Sequence, residues 1–450
     1  MTDLIATNRN IAILGMGATG LSVARFLSSI GKSFVFADSR SAPPRLAEVR
    51  ECYPHVSVVL GPFETDLLVG FDSVVVSPGI SLQEPALVAA QKQGVKLLGD
   101  VELFLEHTKA PVILITGSNG KSTVTQLVGE MAEASGLSVG IGGNLGTPML
   151  DLLNNQQQLY VIELSSFQLE LVTDTRGAIA ALLNISPDHM DRYAGLQQYH
   201  AAKHRIFRGA SQVIFNRQDP LTNPLLSVGV KLCSIGLNKP DLGSFGLLEE
   251  EGESWLGHGL KPLIRSVEVA IKGRHNLANA LAALALGHAA GLDMAAMLRT
   301  LRHFKGLPHR CEHVLTVDNI TYIDDSKGTN IGATVAAING FGESDRANLI
   351  LIAGGQGKGQ SFSELQAPIA KFVKLVVLFG EDAELIAEAL AGTTQIERLN
   401  SLQSAVDCAR AAAQPGDIVL LSPACASFDM FSGFEERGRC FQQTVMAVAA

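Results

Sequence analysis

From Thr116 to Thr123 the chain runs Thr-Gly-Ser-Asn-Gly-Lys-Ser-Thr, a stretch of glycines, hydroxyls and one amine that can hold a triphosphate. Glycines let backbone N–H groups approach phosphate oxygens, a lysine reaches the β/γ oxygens, and a hydroxyl holds Mg²⁺. Gly117, Ser118, Asn119, Gly120 and Thr123 would form the cradle, with Lys121 and Ser122 at its working end. The loop is shorter than the usual G-x-x-x-x-G-K-[ST]. Five residues before Gly120 stands Ile115, and Gly117 is only three ahead.

Other groups along the chain carry chemistry less specifically. Gly15-Met16-Gly17-Ala18-Thr19-Gly20, followed after the next strand by Asp38, has the form of a dinucleotide-binding turn with an acid for a ribose hydroxyl. Without a ligand, the same glycines would serve close packing of helix on strand. Ser77-Pro78-Gly79 ends a further strand, where a ligand pocket is expected. Glu163 closes a buried-looking strand and could hold Mg²⁺ beside the phosphate loop; a solvated strand-end charge is the competing account. Asp188-His189-Met190-Asp191 offers a His between acids, catalytic or metal-binding or merely polar. Lys203, in a basic helix over Tyr199–Phe207, reads by itself as a solvated charge. Asn276 and Asn279 share a helical face, where amides could read a base edge or simply cap the helix.

Positioning these residues requires alternating strands and helices. Val112–Thr116 is a short apolar β-branched run, and Val124, Leu127, Val128 and Met131 then recur at the spacing of a buried helical face. Further strands are expected at Val56–Leu60, Ser73–Val76, Leu159–Glu163, Ile179–Ile185, Thr321–Asp324, Leu349–Ala353, Leu375–Phe379 and Ile418–Leu421. Three of the last four end in polar groups, at Asp325–Asn330, Gly354–Lys358 and Ser422–Ser427, which parallel strands would gather at one sheet edge. Lysines and hydroxyls there suit a small anion. The expected division is an α/β protein of three domains, residues 1–98, 99–306 and 307–450, the first and last Rossmann-like and the central one a phosphate-loop domain.

Composition excludes several classes. The 450 residues carry a net charge of −9, against the basic surface a general nucleic-acid binder needs. No run approaches the ~20 apolar residues that span a bilayer. The opening residues lack a basic-then-apolar export pattern, and the six cysteines form no C-x-x-C. The expectation is a reduced, cytoplasmic enzyme.

With these residues in view, the sequence resembles the Mur ligases over essentially its whole length. The resemblance rests on T-G-S-N-G-K-S-T at 116–123, G-G-N-L-G at 142–146, E-L-S-S-F-Q-L-E at 163–170 and D-H-M-D-R at 188–192. It continues with G-R-H-N-x-x-N at 273–279, G-L-P-H-R at 306–310, D-S-K-G-T-N at 325–330 and S-P-A-C-A-S at 422–427. The shortened phosphate loop is the family's own form.

The resemblance implies an ATP- and Mg²⁺-dependent amide ligase of peptidoglycan precursor synthesis, with three small-molecule substrates. It implies that the first domain holds UDP, not NAD, through Gly17, Ala18, Thr19 and Gly20, with Asp38, Ser39 and Arg40 around the uridine and Ser77, Pro78 and Gly79 beside them. Asn144 and His189 would lie near the muramoyl substrate. Lys121, Ser122, Asn276, Asn279, Arg310 and Asp325 would serve ATP. Glu163 would hold the first Mg²⁺ with Ser122, and His189 with a carbamylated Lys203 the second. Lys121, His189, Lys203 and Arg310 form the implied catalytic set, with His189 the candidate base for the incoming ammonium. Lys327, Thr329, Lys358, Ser427 and Phe434 match positions for D-glutamate, whose two carboxylates suit paired cations. Gly328 stands where some relatives have alanine, and Gln356 where some have aspartate. The expected assembly is a monomer, without nucleic-acid or membrane partners. Alternatives are a sister ligase using another amino acid or adding glutamate to a folate, an NAD-dependent dehydrogenase, and a nucleotide-gated regulatory protein.

Overall fold

The computed structural model describes residues 11–153, 156–225, 229–343 and 346–448. Its strands fall into three sheets. The first contains β1 (Ile11–Leu14), β2 (Phe34–Asp38), β3 (Val58–Leu60), β4 (Ser73–Val76) and β5 (Lys96–Leu98), in the order β3-β2-β1-β4-β5. All its pairs are parallel, so the turns after β1, β2 and β4 share one edge. The expected strand from Val56 begins only at Val58.

The second sheet is built on β6 (Val112–Thr116), β7 (Val139–Gly143), β8 (Leu159–Glu163), β9 (Ile179–Leu182), β10 (Gln212–Asn216) and β11 (Lys231–Ile235). A hairpin ribbon extends it: β12 (Phe245–Glu250), β13 (Glu253–His258) and β14 (Lys261–Arg265). The order is β14-β13-β12-β11-β10-β9-β6-β8-β7. All five residues of β6 are buried, as expected of a parallel strand covered on both faces. Register decides the site here: Ile115 lies opposite Glu163, so β8 delivers its terminal acid beside the phosphate loop. Val124, Leu127, Val128 and Met131 of the helix Lys121–Ala134 are fully buried, in one core with the alanine-rich helix Arg274–Ala289. β9 stops at Leu182, short of the expected Ile185, and the residues beyond turn over the loop.

The third sheet contains β15 (Glu312–Val317), β16 (Ile320–Asp324), β17 (Leu349–Gly354), β18 (Val373–Phe379), β19 (Gln395–Arg398) and β20 (Ile418–Leu421), in the order β15-β16-β20-β17-β18-β19. β15 runs antiparallel, where the sequence had suggested parallel strands alone. Because β20 lies between β16 and β17, with Leu421 level with Asp324 and Ile352, the three polar strand ends converge. No helix among the described residues is long and apolar enough to cross a membrane.

Candidate active site

The first cavity, of about 520 Å³, lies over the glycine turn of the first domain. Gly17, Ala18, Thr19, Asp38, Ser39, Arg40, Ser77, Pro78 and Gly79 line it, and Asn144 closes it from the second domain. Gly20 is buried and outside this lining; a Cβ there would overlap the Gly15 carbonyl oxygen, so this glycine permits the turn to close. The buried Asp38 carboxylate accepts from the Met16 amide at 2.7 Å and from the Arg40 guanidinium at 2.7 and 2.8 Å. Those donors hold its pKa below the ordinary value, although burial pushes the other way. The sequence offered Asp38 to a ribose; the fold has it also bracing the turn and aiming Arg40.

The second cavity, of about 290 Å³, lies between the second and third domains, with Asn119, Gly120, Asn276, Asn279, Arg310 and Asp325 in its wall. Gly120 has φ +84°, and a Cβ would strike the Asn279 amide oxygen. The two asparagines are linked, Asn279 Nδ2 donating to Asn276 Oδ1 at 3.1 Å, while Asn276 Nδ2 donates to the Lys272 carbonyl at 2.8 Å. Burial lifts the Asp325 carboxyl to about 6, opposed by the Ser422 hydroxyl that donates to it at 2.7 Å. Arg310 Nε is buried without a hydrogen-bond partner.

Between the cavities lie the charged groups. Lys121 Nζ donates to the Gly117 and Ser118 carbonyls, both at 2.9 Å. Lys203 is not the surface charge its local sequence suggests. It is 1% exposed, donates to the Gly117 carbonyl at 2.8 Å, and lies over the Tyr199 ring. Burial, with Lys121 nearby, drives its pKa well below the ordinary lysine value. Glu163 is 1% exposed; Oε1 accepts from Asn144 Nδ2 at 2.8 Å, and Oε2 has no partner. A buried carboxylate oxygen left unpaired is costly unless something cationic completes it, and Ser122 is buried at the end of the neighbouring phosphate loop. These residues therefore fit a divalent cation. His189 packs on Phe167, its ring centroids 4.8 Å apart, and burial lowers its pKa.

The third domain supplies the remaining groups. Lys327 Nζ lies 3.8 Å from the Phe434 ring centroid, and burial lowers its pKa to about 8. Gln356 and Ala426 exchange backbone hydrogen bonds, tying the loop of Lys358 to the loop of the buried Ser427. The fully buried Arg437 donates to the Ser326 and Cys425 carbonyls at 2.8 and 3.1 Å, fixing the loop that carries Lys327 and Thr329. His189, Cys311, Lys358 and Ala424 all adopt left-handed φ angles in these loops.

Spacing had not singled out three residues that the fold brings here. Asn184, after β9, exchanges two hydrogen bonds with the Asn119 backbone. The Tyr199 hydroxyl meets Ser118 Oγ at 3.0 Å. Asn330 reaches the phosphate loop from the third domain. The last could have been suspected from its place at the end of Asp325–Asn330; the others have no local signal.

Three family descriptions match successive parts of the chain. Residues 9–99 match the family description "Mur ligase MurD-like, N-terminal domain", residues 115–287 "Mur ligase middle domain" and residues 309–425 "Mur ligase, glutamate ligase domain". The chain is 54% identical to the UDP-N-acetylmuramoylalanine--D-glutamate ligase of Pseudomonas savastanoi pv. phaseolicola, over 98% of this chain and 99% of that one. It is 51% identical to the ligase of the same name from Pseudomonas aeruginosa, over 99% and 100%. Among solved structures, a pseudomurein peptide ligase type C from Methanothermus fervidus superposes with a TM-score of 0.62 at 17% identity, covering 98% of this chain and 100% of that one. The UDP-N-acetylmuramate-alanine ligase of Thermotoga maritima gives 0.58 at 20% identity, covering 98% and 99%, and both share its fold. Three family models matched in turn, and 54% identity along nearly the whole chain, place this protein in the Mur ligase family.

Proposed function

We propose that this chain joins D-glutamate to the alanyl carboxylate of UDP-N-acetylmuramoyl-L-alanine, converting ATP to ADP and phosphate. The observation that carries this is 54% identity, over nearly the whole chain, to relatives bearing that activity in their names. The working division is residues 1–98 for the UDP substrate, 99–306 for ATP and 307–450 for the amino acid, in a cytoplasmic monomer.

The alanyl carboxylate attacks the γ-phosphorus, giving an acyl phosphate and ADP; the D-glutamate amine then attacks the acyl carbonyl, and phosphate leaves. Anionic partners must be brought together, and Lys121 and Arg310 offset their repulsion and the charge developing in transfer. Asn276, Asn279 and Asp325 hold the adenosine end, and the cradle Gly117–Thr123 the phosphates. Ser122 and Glu163 would hold one Mg²⁺, His189 and Lys203 a second; the metal polarises phosphoryl oxygens when bound. The neutral amine to which burial biases Lys203 can add CO₂, and its carbamate would be an anionic ligand where a lysine is not. Lys327 and Lys358 pair with the two carboxylates of D-glutamate, with Thr329, Ser427 and Phe434 around them. Closure between the domains keeps water from the acyl phosphate.

The test is phosphate release from ATP with each co-substrate omitted in turn. Release should require both UDP-N-acetylmuramoyl-L-alanine and D-glutamate and fail with L-glutamate. Release with a different amino acid would assign a sister step.

A further inference from the structure

Asn330 joins two structures with one amide. It is the N-cap of the helix Ile331–Phe341, its Oδ1 accepting from the Ala333 amide at 2.9 Å. Its Nδ2 points out of the third domain and donates to Asn119 Oδ1 at 3.2 Å and Asp188 Oδ2 at 3.3 Å. Asn119 belongs to the phosphate loop, and Asp188 to the loop beyond β9. Asn330 is 5% exposed and Asp188 8%, so these bonds lie inside the interface. Two residues on, a Cβ at Gly332 would come within 2.6 Å of Ser186 Oγ, so the helix start is seated closely on the second domain. Ser186 in turn exchanges hydrogen bonds with Ser118 of the phosphate loop. Lys327 and Thr329 precede Asn330 in the same loop.

We infer that Asn330 is a positioning residue that registers the third domain on the phosphate loop, so the amino-acid-binding loop is seated when that loop is correctly arranged. The inference rests on the ligase reading above. Both outward bonds lie at or just beyond the long end of the hydrogen-bond range. Its consequence is a partition of the acyl phosphate. With the contact made, the amine attacks the acyl carbon and phosphate leaves, forming the amide. With it lost, water attacks the same carbon, phosphate leaves, and the carboxylate is regenerated without product.

N330D separates this role from helix capping, because aspartate caps as well as asparagine but presents a carboxylate to Asp188. Expected are a rise of roughly tenfold in KM for D-glutamate, the loss of one hydrogen bond to a charged group, and phosphate release exceeding amide formed. KM for the UDP substrate should stay within twofold. The reversed pair D188N/N330D restores a donor and an acceptor, and should regain most of the coupling that N330D alone loses. Small-angle scattering with a non-hydrolysable ATP analogue reads closure whatever the amino acid, and N330D should need roughly tenfold more analogue to compact. N330D matching wild type in D-glutamate KM, in the phosphate-to-amide ratio and in compaction overturns the inference, as does a reversed pair with no coupling. Wild type that fails to use D-glutamate sinks the ligase reading instead, and scattering still decides the role of Asn330.

Discussion

The two glycine turns of this protein begin alike and end differently. Each closes a parallel strand and opens a helix, and each uses a left-handed glycine, Gly15 at φ +95° and Gly120 at +84°. Around the first, most of the lining comes from the first domain, and its one buried acid is bonded to the turn amide and Arg40. Around the second, Lys203 arrives from the helix Leu196–His204, Glu163 from β8, and Arg310, Asp325 and Asn330 from the third domain. A helix N-terminus suffices to hold an anion. Transferring a phosphoryl group requires preorganised opposite charge, and no single segment of chain provides it. On the proposed function, the first turn holds and the second reacts.

Changes that separate holding from reacting test this contrast. Lys121→Ala should cost about a thousandfold in turnover, as when an electrostatic stabiliser of the transition state is removed. Binding of the UDP substrate, by calorimetry, should change by no more than a few-fold. Equal loss of both would erase the distinction between the turns.

A smaller effect should follow from Lys327, whose pKa of about 8 places its titration within reach. It is cationic below that value, so kcat/KM for D-glutamate should be highest below pH 8 and fall as pH rises through it. Lys327→Arg should abolish that limb of the profile, because a guanidinium stays charged. The same depressed pKa gives a stability trend of known sign. Between about 8 and the ordinary lysine value the unfolded chain binds more protons, so this group's contribution to stability rises with pH there.

At the first turn, Asp38→Ala leaves the Met16 amide without its partner. KM for the UDP substrate should rise roughly tenfold with KM for ATP unchanged, as steady-state kinetics would report. The weakest effect should come from Arg25→Ala, which breaks a solvent-exposed ion pair with Asp151 between the first and second domains. Exposed pairs contribute under about 1 kcal/mol, so thermal unfolding and both KM values should hardly move. A large change would mean that the first domain also reacts through its placement.

The sequence carried the alternation of strands and helices, both glycine turns, and the gathering of polar strand ends at one edge. Those features follow from local periodicity and turn chemistry. It was less informative about the hairpin β12–β14 and the antiparallel β15, whose strands lack a strong pattern. Its local pattern alone misplaced Lys203, because a lysine among histidines and an arginine has the same local sequence whether the helix faces water or a phosphate loop.

What the sequence determined by itself is the chemistry available: a phosphate cradle, a terminal acid at β8, and lysines and hydroxyls at three strand ends. Each is a relation among residues a few positions apart, set by backbone geometry within a turn. Tertiary structure alone decided which groups meet. Lys203 reaches Gly117 across 86 residues, and Asn330 reaches Asn119 across 211. Such contacts depend on how whole helices and sheets pack. The pKa of Lys203, the unpaired oxygen of Glu163 and the contact of the third domain with the phosphate loop are consequences of that packing, because burial and distance set the electrostatics.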